Sequence, residues 1–192
     1  MPNQFNTLCQ ESTLYNAWNM VKSKGSAGGI DGVSIQEFDK EKWIQIPKLV
    51  EELKAGTWKP LPYMEIQVPK TKDPTEKRTL GMIAIRDKIV QQAIRVIIEP
   101  RYERIFLGNS YGYRPGKGAT KAIRRVLFES ANQKYHYVLR LDIDNFFDNI
   151  DHAILQKRLI ATGTDPDVVR LIMLSVQMGK VGMKEPVKIA VI

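Results

Sequence analysis

Apolar residues recur at helical spacing along most of the chain and alternate with polar residues in one short stretch. The spacing predicts helices over residues 12–22, 35–40, 43–55, 87–100, 120–131, 152–160 and 166–178. Ser34 followed by Glu37 is the pattern of a capping box at the start of the second helix. Residues 63–68 and 78–84 predict a hairpin with a basic tip, and residues 179–192 predict two short strands. This order of elements favours an α+β fold.

Four aspartates lie between residues 142 and 151, and the first of them, Asp142, lies within an apolar run that predicts a buried strand over residues 138–143. A buried carboxylate is costly unless it is paired or binds a metal, so Asp142 in such a strand needs a cation. The competing interpretation is local structure, with Asp148 or Asp151 capping the helix that begins near His152. An EF-hand loop does not fit, because its glycine and final glutamate are absent at the required offsets.

The composition of the chain indicates a polyanionic partner. The chain has 192 residues and a net charge of +8, with a sequence pI near 9.5. Excess lysine and arginine favour nucleic acid without specifying it. No apolar run is long enough for a membrane span, and the start of the chain lacks the pattern of a signal peptide. A single cysteine, Cys9, allows neither an internal disulfide nor a zinc cluster, which favours a reducing cytoplasm. Cys9, His136 and His152 are predicted to be structural or incidental.

Two basic segments are candidate binding elements. Lys70 and Arg78 lie at opposite bases of the hairpin loop, where two cations could grip a triphosphate. The alternative for this pair is a solvated, charged hairpin tip. In the loop of residues 111–118, Arg114 and Lys117 stand among glycines and aromatic residues that could contact nucleic acid. The alternative for that loop is a structural connection whose tyrosines lie in the core.

Five blocks occur in a fixed order along the chain. They are Gly29-Ile-Asp-Gly32, the Lys70 and Arg78 hairpin, residues 80–91, Tyr111-Gly-Tyr-Arg-Pro-Gly116 and Leu141-Asp-Ile-Asp-Asn-Phe-Phe147. This order resembles reverse transcriptases of the group II intron, or maturase, type. The resemblance covers about residues 28–152, and retrons, diversity-generating elements and CRISPR-associated enzymes share related polymerase domains.

The resemblance implies the domains of a right-handed polymerase and its metal ligands. Residues 1–133 would form the fingers, and residues 134–192 would form part of the palm, including a palm strand that carries Asp142. Asp142 would be the first catalytic carboxylate and would bind both Mg²⁺ ions, with the backbone carbonyl of Ile143 as a further ligand. The partners implied are an RNA template, a DNA primer and intron RNA.

The resemblance also implies residues that contact the incoming nucleotide. Lys70 and Arg78 would contact the triphosphate of the dNTP. Phe147 matches the position of a steric gate, and a bulky residue there predicts incorporation of deoxynucleotides. Asp144, like Asp148 and Asp151, has no metal role in the family and is interpreted as local structure.

The sequence departs from the family pattern because it contains neither a Tyr-x-Asp-Asp block nor a Pro-Gln-Gly block. The expectation is therefore an interrupted enzyme, without thumb and maturase regions, that has little or no polymerase activity alone. A palm sheet with an unpaired edge predicts self-association as a homodimer. A non-catalytic RNA-binding module of an intron maturase is the main alternative, and a basic helical protein unrelated to polymerases is the third interpretation.

Overall fold

The computed structural model describes residues 3–25, 28–69, 77–131, 135 and 137–181. Within these residues the chain forms helices and one antiparallel hairpin, which confirms the α+β class. In chain order the elements are α1 (Gln4–Leu8), α2 (Glu11–Ser23), α3 (Ile35–Lys54), β1 (Met64–Pro69), β2 (Lys77–Met82), α4 (Ile85–Ile105), α5 (Ala119–Ala131), α6 (His152–Ala161) and α7 (Pro166–Val176).

The capping box predicted for α3 is present. The Ser34 hydroxyl accepts a hydrogen bond from the backbone N–H of Glu37 at 3.2 Å, and the Glu37 carboxylate accepts one from the Ser34 N–H at 2.8 Å. The prediction of two helices over residues 35–40 and 43–55 is wrong, because one helix runs through both. Residues 41 and 42 belong to the polar side of that helix, where they resemble a break in the apolar pattern.

The chain divides into two compact units, Met1–Ile98 with Phe147–Ile192, and Glu99–Phe146. In the first unit, α2 packs on α3 and α6 packs on α7. Trp18 and Phe38 join the first pair, with ring centroids 4.8 Å apart. The division into fingers and palm follows other bounds and stays a prediction.

The short helix α1, which the apolar spacing did not predict, is tied to the start of α7. The side chain of Gln4 accepts a hydrogen bond from the Asp165 N–H at 2.8 Å, and the Asp165 carboxylate accepts one from the Phe5 N–H at 3.4 Å. Asp165 also caps α7 by accepting from the Asp167 N–H. A helix of five residues has too few apolar positions for a periodic signal, so these long-range contacts stabilise it.

The second unit contains the end of α4 and the whole of α5, and much of its apolar surface is exposed. Helix α5 has no buried residue, and Ile123, Val126, Leu127 and Phe128 are each more than half exposed. Among the described residues, no helix is both long and apolar enough to cross a membrane.

Candidate functional site

The segment that carries Asp142 is exposed and has no regular secondary structure. Residues 137–143 form neither helix nor strand, and Leu141 and Ile143 are 81% and 69% exposed. The prediction of a buried strand over residues 138–143, and so of a palm strand carrying Asp142, is therefore wrong for this structure. A strand needs a neighbour for its N–H and C=O groups, and no described residue pairs with this segment.

The acidic segment ends in a turn that leads into α6. Asn145 lies in the left-handed region, with φ of 46°, which asparagine tolerates. Asp151 caps α6 by accepting hydrogen bonds from the N–H groups of Ala153 and Ile154, at 2.8 and 3.0 Å. The local-structure interpretation is confirmed for Asp151. Phe147, the candidate steric gate, is the first residue of the segment Phe147–Ile192 of the first unit, and its side chain is 44% exposed.

The hairpin that the sequence predicts is present. Val68 pairs with Arg78 and Pro69 pairs with Lys77, so the loop begins directly beyond these pairs. Lys70 lies outside the described residues, and only the backbone of Arg78 is described. Their predicted contact with a triphosphate therefore stays a prediction.

The entrance to the hairpin is held by residues far away in the chain. The N–H of Tyr63 donates to the carbonyl of Gly179 at 2.9 Å, and the N–H of Val181 donates to the carbonyl of Tyr63 at 3.0 Å. This parallel bridge is the described part of the predicted strands over residues 179–192. Lys180 also forms an ion pair with Glu65. The residues after α7 thus extend the base of the hairpin.

Tyr63 also connects the hairpin base with the acidic turn. Burial and the carboxylate of Glu65 raise the pKa of Tyr63, and the charge of Asp148 raises it further. The influence of Asp148 on a tyrosine that is 5% exposed means that the end of the acidic turn lies near the base of the hairpin. Asp148 and Tyr63 both belong to the first unit, whereas residues 141–146 of the Asp142 block belong to the second.

The exit from the hairpin is held by a close approach of two backbones. A Cβ atom on Gly29 would lie 2.3 Å from both the Cα and the N atom of Ala84, and 2.7 Å from the carbonyl carbon of Ile83. Only glycine allows the chain to pass at this distance. The block Gly29-Ile-Asp-Gly32 therefore has a packing role at the point where β2 leads into α4.

Asp87 is a buried carboxylate that the sequence analysis did not single out. It is fully buried, and its Oδ2 atom accepts a hydrogen bond from the Leu61 N–H at 2.8 Å, just before the hairpin. Arg86 Nε lies 3.5 Å from Oδ1 without making a hydrogen bond to it. Burial raises the pKa of Asp87 from 3.8 to about 6, although the Leu61 N–H and the charge of Arg86 act in the opposite direction.

Arg114 closes the glycine-rich loop of the second unit. Its guanidinium donates to both carboxylate oxygens of Glu103, at 2.9 and 3.0 Å, and to the carbonyl oxygens of Leu107 and Ser110, at 2.7 and 2.9 Å. Only 6% of its side chain is exposed. These contacts fix the loop to the end of α4, and the predicted contact of Arg114 with nucleic acid is untested.

Lys117 supports the same loop. Its Nζ atom donates to the carbonyl of Gly108 at 2.7 Å and lies 5.4 Å from the centroid of the Tyr111 ring. Its predicted nucleic-acid contact is likewise untested. Tyr113 has φ of 54° and is 81% exposed, so the alternative that both tyrosines of this loop belong to the core is wrong for Tyr113.

The described residues do not form a complete magnesium site. Mg²⁺ needs an octahedral set of oxygen ligands, several of which are usually carboxylates or waters. Asp142 and the carbonyl of Ile143 supply suitable oxygens, but both belong to one exposed segment. No group of three Asp, Glu, His or Cys side chains among the described residues could hold a metal ion. A pair of Mg²⁺ ions therefore does not fit these residues alone.

Comparison with known proteins identifies the family. The model of the family described as reverse transcriptase (RNA-dependent DNA polymerase) matches residues 68–189, which is more than half of the chain. The match begins at the end of β1 and includes β2, the loop closed by Arg114 and the segment of Asp142. The chain therefore belongs to the reverse transcriptase family.

Individual relatives indicate the intron-type members of that family. The chain is 34% identical over 138 residues to the group II intron-encoded protein LtrA of Lactococcus lactis, covering 71% of this chain and 22% of that protein. It is 27% identical over 173 residues to the putative COX1/OXI3 intron 1 protein of Saccharomyces cerevisiae, covering 89% of this chain and 20% of that protein. The sequence-based recognition of an intron-type reverse transcriptase is confirmed.

A third relative has a name that indicates no function. Protein YkfC of Escherichia coli is 30% identical over 165 residues, covering 84% of this chain. The chain spans 43% of the length of YkfC and 22% of the length of LtrA. The chain therefore corresponds to less than half of either relative.

Proposed function

We propose that this chain forms the fingers, residues 1–133, and the first part of the palm, residues 134–192, of an RNA-directed DNA polymerase. The complete enzyme would add deoxynucleotides to a DNA primer on an RNA template, which includes intron RNA. The observation that carries the proposal is the family match over residues 68–189, because it covers Lys70, Arg78 and the segment of Asp142 together. The net charge of +8 supports a polyanionic partner.

The proposed roles differ between the hairpin and the acidic segment. Lys70 and Arg78 would contact the triphosphate of the incoming dNTP, and Phe147 would exclude a ribose 2′-hydroxyl. Asp142 and the Ile143 carbonyl would contribute to a Mg²⁺ site that needs further carboxylates. Because the described residues do not complete that site, no step of nucleotide transfer is assigned to this chain alone.

The purified chain is expected to give no extension of a DNA primer on an RNA template in Mg²⁺ above that seen without protein. One carboxylate cannot position two metal ions, and the sequence contains no Tyr-x-Asp-Asp block. Gel analysis of a labelled primer measures the product. Asp142→Ala and Asp144→Ala form a matched pair of exposed carboxylate variants. Mg²⁺-dependent extension that Asp142→Ala abolishes and Asp144→Ala preserves would contradict the expected inactivity.

A non-catalytic RNA-binding module is the second candidate function. The observation in its favour is the lack of a metal-binding cluster among the described residues, together with the excess of basic residues. In that case Asp142→Asn should leave RNA affinity unchanged or slightly higher. A large loss of RNA affinity in this variant would show that RNA binding does not depend on the basic residues alone.

A further inference from the structure

The strands β1 and β2 have little contact with the helices of the first unit. Among the described residues, neither strand packs against a helix, and no described side chain within either strand is buried. A hairpin of two strands is at best marginally stable by itself. The order of this hairpin therefore depends on contacts at its base, where residues 61–63 lead into β1 and residues 83–87 follow β2.

Asp87 connects the two sides of that base. It is the third residue of α4, the helix that follows β2, and its side chain is fully buried. Its Oδ2 atom accepts a hydrogen bond at 2.8 Å from the N–H of Leu61, which lies three residues before β1. One carboxyl group thus joins the segment that enters the hairpin to the helix that leaves it.

The surroundings of Asp87 compensate a negative charge poorly. Its Oδ1 atom makes no hydrogen bond within the described part of the chain, although Arg86 Nε lies 3.5 Å away. Arg86 donates instead to Glu52 on α3, at 2.5 Å. The Trp58 indole lies near enough to lower the pKa of Asp87, but its Nε1 atom makes no hydrogen bond of normal geometry. A buried carboxylate with so few partners is costly.

A second negative charge faces Asp87 from the turn before α3. Asp31, in the block Gly29-Ile-Asp-Gly32, raises the pKa of Asp87 and also acts on Lys88, the next residue of α4. Burial and Asp31 together outweigh the Leu61 N–H and the charge of Arg86, so the pKa of Asp87 rises to about 6. The closed base of the hairpin therefore favours the neutral carboxyl group.

We propose that protonated Asp87 holds the base of the hairpin against α4, and that loss of this proton releases the hairpin. Separating Leu61 from Asp87 admits water, which solvates the ionised carboxylate. The stabilisation of the closed base is complete below about pH 4 and is lost as the pH rises through about 6. This switch concerns the strands β1 and β2 and does not depend on the proposed function.

Hydrogen exchange of the backbone amides, followed by NMR from pH 5 to pH 8, tests the proposal. Protection factors of amides in β1 and β2 are compared with those in α2 and α3, after correction for the intrinsic exchange rate at each pH. The hairpin amides are expected to be the less protected set, because the hairpin opens locally. Their opening equilibrium constant is expected to rise about tenfold between pH 5 and pH 8 as Asp87 ionises.

Two variants assign the pH dependence to Asp87. Asp87→Asn stays neutral and keeps an oxygen acceptor for the Leu61 N–H, so its hairpin opening is expected to change less than about twofold over the same range. Glu51→Gln removes an exposed carboxylate of α3 and is expected to retain the tenfold change. Other groups that titrate in this range are common to all three proteins and cancel in the comparison.

Three results would overturn the proposal. Hairpin protection in the wild-type protein that is constant from pH 5 to pH 8 would mean that Asp87 stays buried when the hairpin opens. An equal pH dependence in Asp87→Asn would assign the change to another group. Equal protection of the hairpin and of α2 and α3 at every pH would mean that the hairpin opens only when the whole unit unfolds. The wild-type profile decides the first and third points even if a variant fails to fold.

Discussion

Gly29→Ala is expected to lower the free energy of unfolding by roughly 3 kcal/mol, at the upper end of overpacking effects. The new Cβ atom would stand 2.3 Å from backbone atoms of Ala84. Backbone atoms cannot move aside as the end of a flexible side chain can. Either the turn before α3 or the connection from β2 to α4 must shift, and both lie at the base of the hairpin.

Urea denaturation followed by circular dichroism measures this loss. Gly179→Ala is the matched control in the same unit, because a Cβ atom there meets nothing within 4 Å. The control is expected to change stability by less than about 0.5 kcal/mol. Equal midpoints for Gly29→Ala and the wild-type protein would show that the two backbones do not approach so closely in solution.

The free energy of unfolding of the wild-type protein is expected to fall as the pH rises and Asp87 ionises. In Asp87→Asn this fall is expected to be absent. The folded state raises the pKa of Asp87 from 3.8 to about 6, so it favours the protonated carboxyl group. The resulting stabilisation is complete below about pH 4 and is lost as the pH rises through about 6. The shift corresponds to roughly 3 kcal/mol, and asparagine, which stays neutral, can still accept the Leu61 N–H.

The free energy of unfolding of both proteins, measured from pH 4 to pH 8, isolates this effect. Glu37 and Asp39 have lowered pKa values, so their contributions are lost on acidification, which is the opposite sign. These contributions are shared by both proteins and cancel in the difference. Curves that remain parallel across the range would mean that Asp87 is ionised in the fold without penalty.

Local sequence signals predicted the helices and the hairpin well, because those elements depend on nearby residues. The Ser34 and Glu37 pair marks the start of α3, and Asp151 marks the start of α6. The alternation of residues 63–68 agrees with β1, which pairs with β2 in the predicted hairpin. The order of the five blocks identified the family, which no single block could do.

Long-range contacts account for most of what the sequence could not predict. Residues 138–143 have the composition of a strand, but a strand forms only beside a partner. Asp87 looks like an ordinary acidic residue in the first turn of a helix, but it is buried and accepts a hydrogen bond from Leu61, 26 residues earlier in the chain. Arg114 has the sequence context of a nucleic-acid contact, but in the structure it forms an ion pair with Glu103, in the last turn of α4.

Binding of an RNA template annealed to a DNA primer tests the central claim most directly. The labelled duplex, with a single-stranded template overhang, is titrated with the purified chain at low and at moderate salt, and anisotropy is recorded. The account predicts saturable binding whose affinity falls steeply as salt increases, because lysines and arginines release counterions from the phosphates. Absence of binding at low salt would contradict the assignment of this chain to the nucleic-acid-holding part of a reverse transcriptase.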